Sequence, residues 1–323
     1  MWPIYFFFSF FMFLGIFFMI FSPSWVIIWI GLEMNLFGFL PLMVDMKENQ
    51  TLEATMKYFL IQAFGSGMFL GGSFFSLIFL ETWFSLSLTS NNYFPDILLF
   101  LAIAIKMGLA PFYIWLPSIM SSISWSNCVL LNTFQKIGPM LLFTKFFSFN
   151  TVSMVMISMS TLVGGVMGVI QTQIRTIMAY SSLVHLGWIL ALGMFSMYGM
   201  IQYMTIYFFL SSSIFLYCMK PNLSRFSLKS PKALILIISF LSLGGLPPMS
   251  GFFMKWVGMK ILMSQTHLLL NLTLILGSVL SLFFYLNLLF SWISFYPKQK
   301  FPTFDKKDLS MLCFSGLGLS LLF

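Results

Sequence analysis

Long apolar stretches follow one another along this chain, separated by brief polar interruptions. About twenty apolar residues in helical form cross the hydrocarbon of a bilayer. In lipid, backbone N–H and C=O groups must be paired within the segment, so runs of this length predict α-helices. The runs fall at 3–21, 25–44, 56–80, 95–120, 124–147, 150–171, 176–195, 199–219, 232–262, 268–292 and 309–323. The expected fold class is therefore an all-α polytopic membrane protein with about eleven transmembrane helices. The first run lacks a basic leader and a small-residue cleavage site, so it is read as a mature span, and no transit peptide is visible.

Two of these runs are interrupted in matching places. The fourth reads Ala104-Ile105-Lys106-Met107-Gly108-Leu109-Ala110-Pro111-Phe112, and the ninth reads Leu243-Gly244-Gly245-Leu246-Pro247-Pro248-Met249-Ser250-Gly251. Each is longer than one bilayer requires, and Gly and Pro remove helical hydrogen bonds and break the rod. Each is also the fourth of five helices, with Pro111 and Pro248 separated by 137 positions. Five helices per unit is odd, so a second copy would be inverted, and paired interrupted spans point to an inverted-repeat transporter. The expected division is a first five-helix repeat at 1–147, a second, inverted repeat at 148–294, and a loop with a last helix at 295–323. The pairs Gly67/Gly71 and Gly164/Gly168 permit close helix contacts.

Composition narrows the class further. The chain has 323 residues, 59% of them hydrophobic and 7% charged, with 42 Phe and 26 Met. Soluble domains carry about 25% charged residues, so a soluble enzyme, a nucleic-acid-binding module and a disordered protein are all excluded. The net charge of +8 has another use. With connections on alternate sides, eleven loop cations, from Lys47 and Lys57 to Lys306 and Lys307, fall on the side of the N-terminus. Only Lys145 and Lys260 fall on the other. The positive-inside rule makes the first side cytoplasm-like. Cys128, Cys218 and Cys313 lie far apart in apolar runs and are read as core residues rather than a disulfide or zinc framework.

Four charged residues remain inside predicted spans: Glu33, Lys106, Lys136 and Lys255. Each costs about 2.5–3.5 kcal/mol at a helix centre unless it is compensated. They must face one another or internal water. A Lys near a span end can instead snorkel to the interface, a reading open for Lys255. Burial and pairing act in opposite directions on such groups, and a balance between them lets protons come and go near neutral pH. This makes a proton path the functional reading. His185 is the other intramembrane titratable group, either a relay or a His satisfied by a carbonyl or Ser. His267 receives no role. No glycine-rich nucleotide loop, cysteine cluster or haem ligand pair is present, so no cofactor or metal site is expected in this chain.

Several motifs carry a family resemblance. They are Trp29-Ile30-Gly31-Leu32-Glu33-Met34-Asn35, Glu53-Ala54-Thr55-Met56-Lys57-Tyr58-Phe59-Leu60-Ile61-Gln62-Ala63, Lys106-Met107-Gly108-Leu109-Ala110-Pro111-Phe112 and Gln135-Lys136-Ile137-Gly138-Pro139. More specific are Gln171-Thr172-Gln173-Ile174-Arg175, Ala179-Tyr180-Ser181-Ser182-Leu183-Val184-His185-Leu186-Gly187-Trp188 and Ser242-Leu243-Gly244-Gly245-Leu246-Pro247-Pro248. The chain resembles the antiporter-like chain 2 family of animal mitochondrial NADH–ubiquinone oxidoreductase, respiratory complex I.

The resemblance implies a subunit of a proton-pumping complex in the mitochondrial inner membrane, with its N-terminus in the matrix and its C-terminus in the intermembrane space. It implies that NADH, FMN, iron–sulfur clusters and ubiquinone are bound by other subunits. The expected partners are membrane-arm subunits, including neighbouring antiporter-like ones, and membrane lipids, with no nucleic acid. Glu33 is expected to pair with Lys106, Lys136 to act as central relay with His185 or water nearby, and Lys255 to lead towards a neighbour or the exit. Tyr113 stands where many members carry His, so the resemblance assigns it no proton-transfer role. The other function considered is a stand-alone cation/proton antiporter of the same fold.

Overall fold

The computed structural model describes residues 2–44, 49–80, 93–146, 151–219, 231–264 and 267–294. Among them, regular structure is helical. The helices are α1 (Trp2–Phe21), α2 (Trp25–Met43), α3 (Asn49–Leu80), α4 (Tyr93–Met107), α5 (Trp115–Ser122), α6 (Trp125–Asn132) and α7 (Phe134–Phe146). They continue with α8 (Thr151–Ile170), α9 (Ile174–Phe195), α10 (Met197–Cys218), α11 (Pro231–Gly244), α12 (Ser250–Met263) and α13 (Leu268–Ser294). Six stretches are long and apolar enough to cross a membrane: α2, most of α3, α8, α9, α10 and most of α13. The expected run at 309–323 and Cys313 lie outside the described residues, as do most of the loop cations.

The chain divides into two compact units, Met1–Ser153 and Met154–Phe323. In the first, glycine lets α1 and α2 approach to backbone contact. A Cβ on Gly15 would lie 2.7 Å from the Gly31 carbonyl oxygen, and one on Gly38 would lie 2.9 Å from the Met12 nitrogen. Such small-residue seams let helices pack by close van der Waals contact where lipid offers no hydrophobic drive. In the second, α9 is buried at nearly every position from Ile177 to Met194, its Ser181, Ser182 and His185 included. α8 meets α9 at Gly164, where a Cβ would lie 2.8 Å from the Tyr180 carbonyl oxygen. Gly67 and Gly71, by contrast, have nothing among the described residues within 4 Å of a Cβ, so that pair makes no close contact with them. Cys128 and Cys218 are buried and unbridged.

Both interruptions read from the sequence are helix stops of one design. α4 ends at Met107, and Gly108 follows with φ +74°. The Gly108 N–H donates to the Ile105 carbonyl at 3.1 Å, and the Leu109 N–H reaches back to the Ala104 carbonyl at 3.0 Å. α11 ends at Gly244, and Gly245 follows with φ +83°. Its N–H donates to the Ser242 carbonyl at 3.0 Å, and the Leu246 N–H donates to the Leu241 carbonyl at 3.3 Å. These are Schellman motifs, and glycine fits them because the left-handed backbone penalises a Cβ.

The run at 124–147 reads as one helix, but the structure divides it at Thr133 (φ −113°, ψ −81°) into α6 and α7. No glycine or proline marks that position. Instead the Thr133 hydroxyl and the Thr133 N–H both bond the Val129 carbonyl, at 2.7 and 3.0 Å, a back-bonding pattern that often bends helices. α3 begins at Asn49, earlier than the apolar run at 56–80, and its added turns are polar and carry an exposed Lys57–Glu53 ion pair at 2.6 Å.

Gly31→Leu is expected to wedge α1 from α2 and cost about 1–3 kcal/mol or more, whereas Gly67→Leu is expected to be near neutral. Thermal melting of the membrane-extracted protein, read side by side for the two variants, checks this; equal losses would contradict it.

Candidate functional site in the membrane interior

In the first unit a cavity of about 20 Å³ lies among α2, α3, α4, α5, α6 and α7. Its polar lining is Asn35, Tyr58, Gln62, Lys106, Gln135 and Lys136. Lys106 and Lys136 are 7% and 3% exposed, so both ammonium-bearing chains are withdrawn from the exterior and meet this space. A volume of this size admits about one water, and the polar walls supply the partners that a water needs.

The backbone explains how the two lysines come together. Lys106 occupies the last turn of α4, just before the Schellman stop, so its side chain leaves the helix where the rod ends. Carbonyls concentrate at such an end and favour a cation. Lys136 occupies the first turn of α7, immediately after the break at Thr133, where the helix end opposes a cation. The Asn132 side-chain oxygen, from the last residue of α6, accepts a hydrogen bond from Lys136 Nζ at 3.1 Å.

A network of uncharged groups holds the walls. Tyr58 donates to Gln135 Oε1 at 3.0 Å, and Gln135 Nε2 donates to Asn35 Oδ1 at 3.2 Å. This ties α3, α7 and α2 together at the level of the lysines. Gln62 Nε2 donates to the Lys106 carbonyl at 3.3 Å, satisfying an acceptor left over by the end of α4. None of these residues is charged, so charge counting passes over them. They stand within the motifs quoted for the family resemblance, and their shared signal is an amide or phenol inside an apolar run.

Glu33 is half-buried on α2, beside the cavity-lining Leu32 and Asn35. It attracts the Lys106 ammonium through space. The close ion pair among the described residues is Lys57–Glu53, so the Glu33–Lys106 coupling acts at longer range than a contact salt bridge.

In the second unit, Lys255 lies on α12 and is 9% exposed. Its Nζ donates to the carbonyls of Leu243 at 3.3 Å and Gly244 at 2.9 Å. The side chain therefore caps the stop of α11 instead of snorkelling. Gly251 lets the start of α12 press against the Ser242 carbonyl, which brings Lys255 within reach. His185 is fully buried on α9, and its Nδ1 is hydrogen-bonded to the Tyr203 hydroxyl at 3.0 Å. The structure thus joins Lys106 with Lys136 at one cavity, places Glu33 near Lys106, and sets Lys255 and His185 in the second unit. Among the described residues, no group of three or more His, Cys, Asp or Glu side chains is placed to hold a metal ion.

Residues 22–281 match the family described as NADH:quinone oxidoreductase/Mrp antiporter, transmembrane. The chain belongs to this family. Within it, an NADH-ubiquinone oxidoreductase chain 2 from Lumbricus terrestris is 35% identical over 93% of this chain and 91% of its own length. The protein of the same name from Xenopus laevis is 39% identical over 83% of this chain and 79% of its own. A chain of respiratory complex I from Thermus thermophilus, solved with bound aureothin, superposes with TM-score 0.84 at 18% identity. That match covers 98% of this chain and 77% of the other. A chain of the Mrp complex from Dietzia sp. superposes with TM-score 0.78 at 18% identity, over 90% and 60% of the two chains. Both structures share the antiporter-family fold.

Gln135→Leu is expected to leave the Tyr58 hydroxyl and the Asn35 amide without their buried partner and to destabilise the first unit by about 1–3 kcal/mol. The amount of assembled protein and its melting temperature check this, with Gln135→Glu as a variant of matched shape.

Proposed function

We propose that this chain is a core membrane-arm subunit of the proton-translocating NADH–ubiquinone oxidoreductase, respiratory complex I, and carries one of its proton paths. The observation that supports this most directly is the meeting of Lys106 and Lys136 at one buried, polar, water-sized cavity. The relatives sharing over a third of its residues carry the name of that enzyme, which favours this reading over a stand-alone cation/proton antiporter.

The path works as follows. An uncompensated ammonium at this depth is costly, so a proton resides on whichever lysine has the better surroundings at that moment. Lys106 is supported by the end of α4 and by the field of Glu33. Lys136 is supported by Asn132 and opposed by the start of α7. The cavity between them has room for one water as a bridge. Weakening the Glu33–Lys106 attraction hands the proton on to Lys136, and strengthening it draws one back to Lys106. Within the second unit Lys255 and His185 carry protons, with Lys255 leading to a neighbouring antiporter-like subunit or to the exit.

In this reading the chain has eleven spans, arranged as a repeat at 1–147, an inverted repeat at 148–294 and a final segment at 295–323. It lies in the mitochondrial inner membrane with its N-terminus in the matrix and its C-terminus in the intermembrane space. Its partners are other membrane-arm subunits and lipids. It binds no cofactor itself; NADH, FMN, iron–sulfur clusters and ubiquinone belong to other subunits, and electron transfer there supplies the charge movement felt at Glu33.

Lys136→Met in the assembled complex is expected to slow coupled turnover roughly tenfold and to lower the protons moved per NADH oxidised, with the subunit still in place. Both are read in sealed membrane vesicles after assembly is checked on a native gel, because removing a buried charge can itself destabilise. An unchanged ratio and unchanged turnover would sink the assignment.

A further inference from the structure

Around His185 the second unit builds an arrangement that the lysine path alone does not require. His185 and Trp188 stand one turn apart on α9, and Tyr203 and Tyr207 stand one turn apart on α10. The His185 ring stacks on Tyr207 at 4.6 Å with an interplanar angle of 27°, and Trp188 lies parallel to Tyr203 at 6.3 Å and 8°. Across this two-by-two lattice runs the hydrogen bond between Tyr203 Oη and His185 Nδ1, 3.0 Å long. Tyr203 is 2% exposed and His185 is fully buried. The other side of Tyr203 faces a cavity of about 10 Å³ shared with Met254 and Gly258 of α12. Lys255 follows Met254 on that helix, and Gly258 abuts Trp188, where a Cβ would lie 3.4 Å from the indole.

We propose that Tyr203 is a positioning residue of the proton path, holding His185 in one orientation through both of its protonation states and aligning it towards the turn of α12 that bears Lys255. A phenol suits this task. Its hydroxyl both donates and accepts, so the bond to Nδ1 survives whether that nitrogen carries a proton or not. Asn or Lys in its place would have to rotate or lose the bond. Holding Nδ1 in place fixes the ring, and so fixes where the other ring nitrogen points. The parallel Trp188 ring restrains Tyr203, so the hydroxyl arrives already aimed.

This inference rests on the proton-path reading above, and the test separates the two. In membranes carrying the assembled complex, NADH:ubiquinone turnover and protons moved per NADH are measured for Tyr203→Phe, His185→Gln and the double variant. Phe keeps the packing on Trp188 and removes only the hydroxyl. The expected result is a loss on the order of tenfold in coupled turnover for Tyr203→Phe, with the double variant no worse than His185→Gln, since a residue acting through His185 has nothing left to position. A full effect of His185→Gln with no effect of Tyr203→Phe, or with additive losses, overturns the role of Tyr203 while leaving the path intact. No effect of either overturns both the role of Tyr203 and that of His185. If Tyr203→Phe fails to assemble, Tyr203→Met, which fills the space flexibly without a hydroxyl, enters the same comparison. Failure of both to assemble overturns the proposal in favour of a packing role.

Discussion

An ammonium group at the depth of the bilayer survives only where oxygen atoms are brought to it, and a regular helix keeps its carbonyls to itself. The fold meets this demand by ending helices inside the membrane. Each stop releases carbonyls that the ladder no longer uses, and a side chain or a water-sized space collects there. Lys106 leaves α4 at such a stop, Lys255 reaches across to another, and Lys136 emerges where α6 gives way to α7. The chemistry of this chain is thus written in its interrupted rods, and the uninterrupted helices serve to hold those interruptions in place.

Much of this was legible before any coordinates. Isolated charges in apolar runs singled out Glu33, Lys106, Lys136 and Lys255, because the cost of burying charge leaves few innocent explanations. The stops at Gly108 and Gly245 announced themselves through glycine and proline. Thr133 did not: its hydroxyl shares the Val129 carbonyl with its own N–H, and Thr occurs in many intact helices. The amides and phenols of the cavity wall were equally quiet, since Gln62 or Tyr58 alone breaks no rule of hydropathy. Gly67 and Gly71 show how little such a spacing decides. A small-residue spacing permits a close approach but does not say whether a neighbour takes it, and here none of the described residues does. The bond between His185 and Tyr203 joins residues on separate helices, a pairing that only packing discloses.

The burial of α9 connects these local facts to dynamics. A helix enclosed on nearly all sides by α8, α10, α12 and α13 has little freedom to rotate or slide. Its polar residues are held to fixed heights, and Ser181, Ser182 and His185 keep their hydrogen bonds within or next to it.

The two glycine stops invite a last comparison. Lys106 and Leu243 occupy the same place in their respective motifs, and both offer an unused carbonyl. In the first unit a neutral amide, Gln62, takes that carbonyl; in the second a cation, Lys255, does. The molecule thus holds the same backbone joint twice, once under a constant grip and once under a grip whose strength follows the charge of the hand. Loss of the Lys255 charge would weaken the hold on the second joint and leave the first as it is.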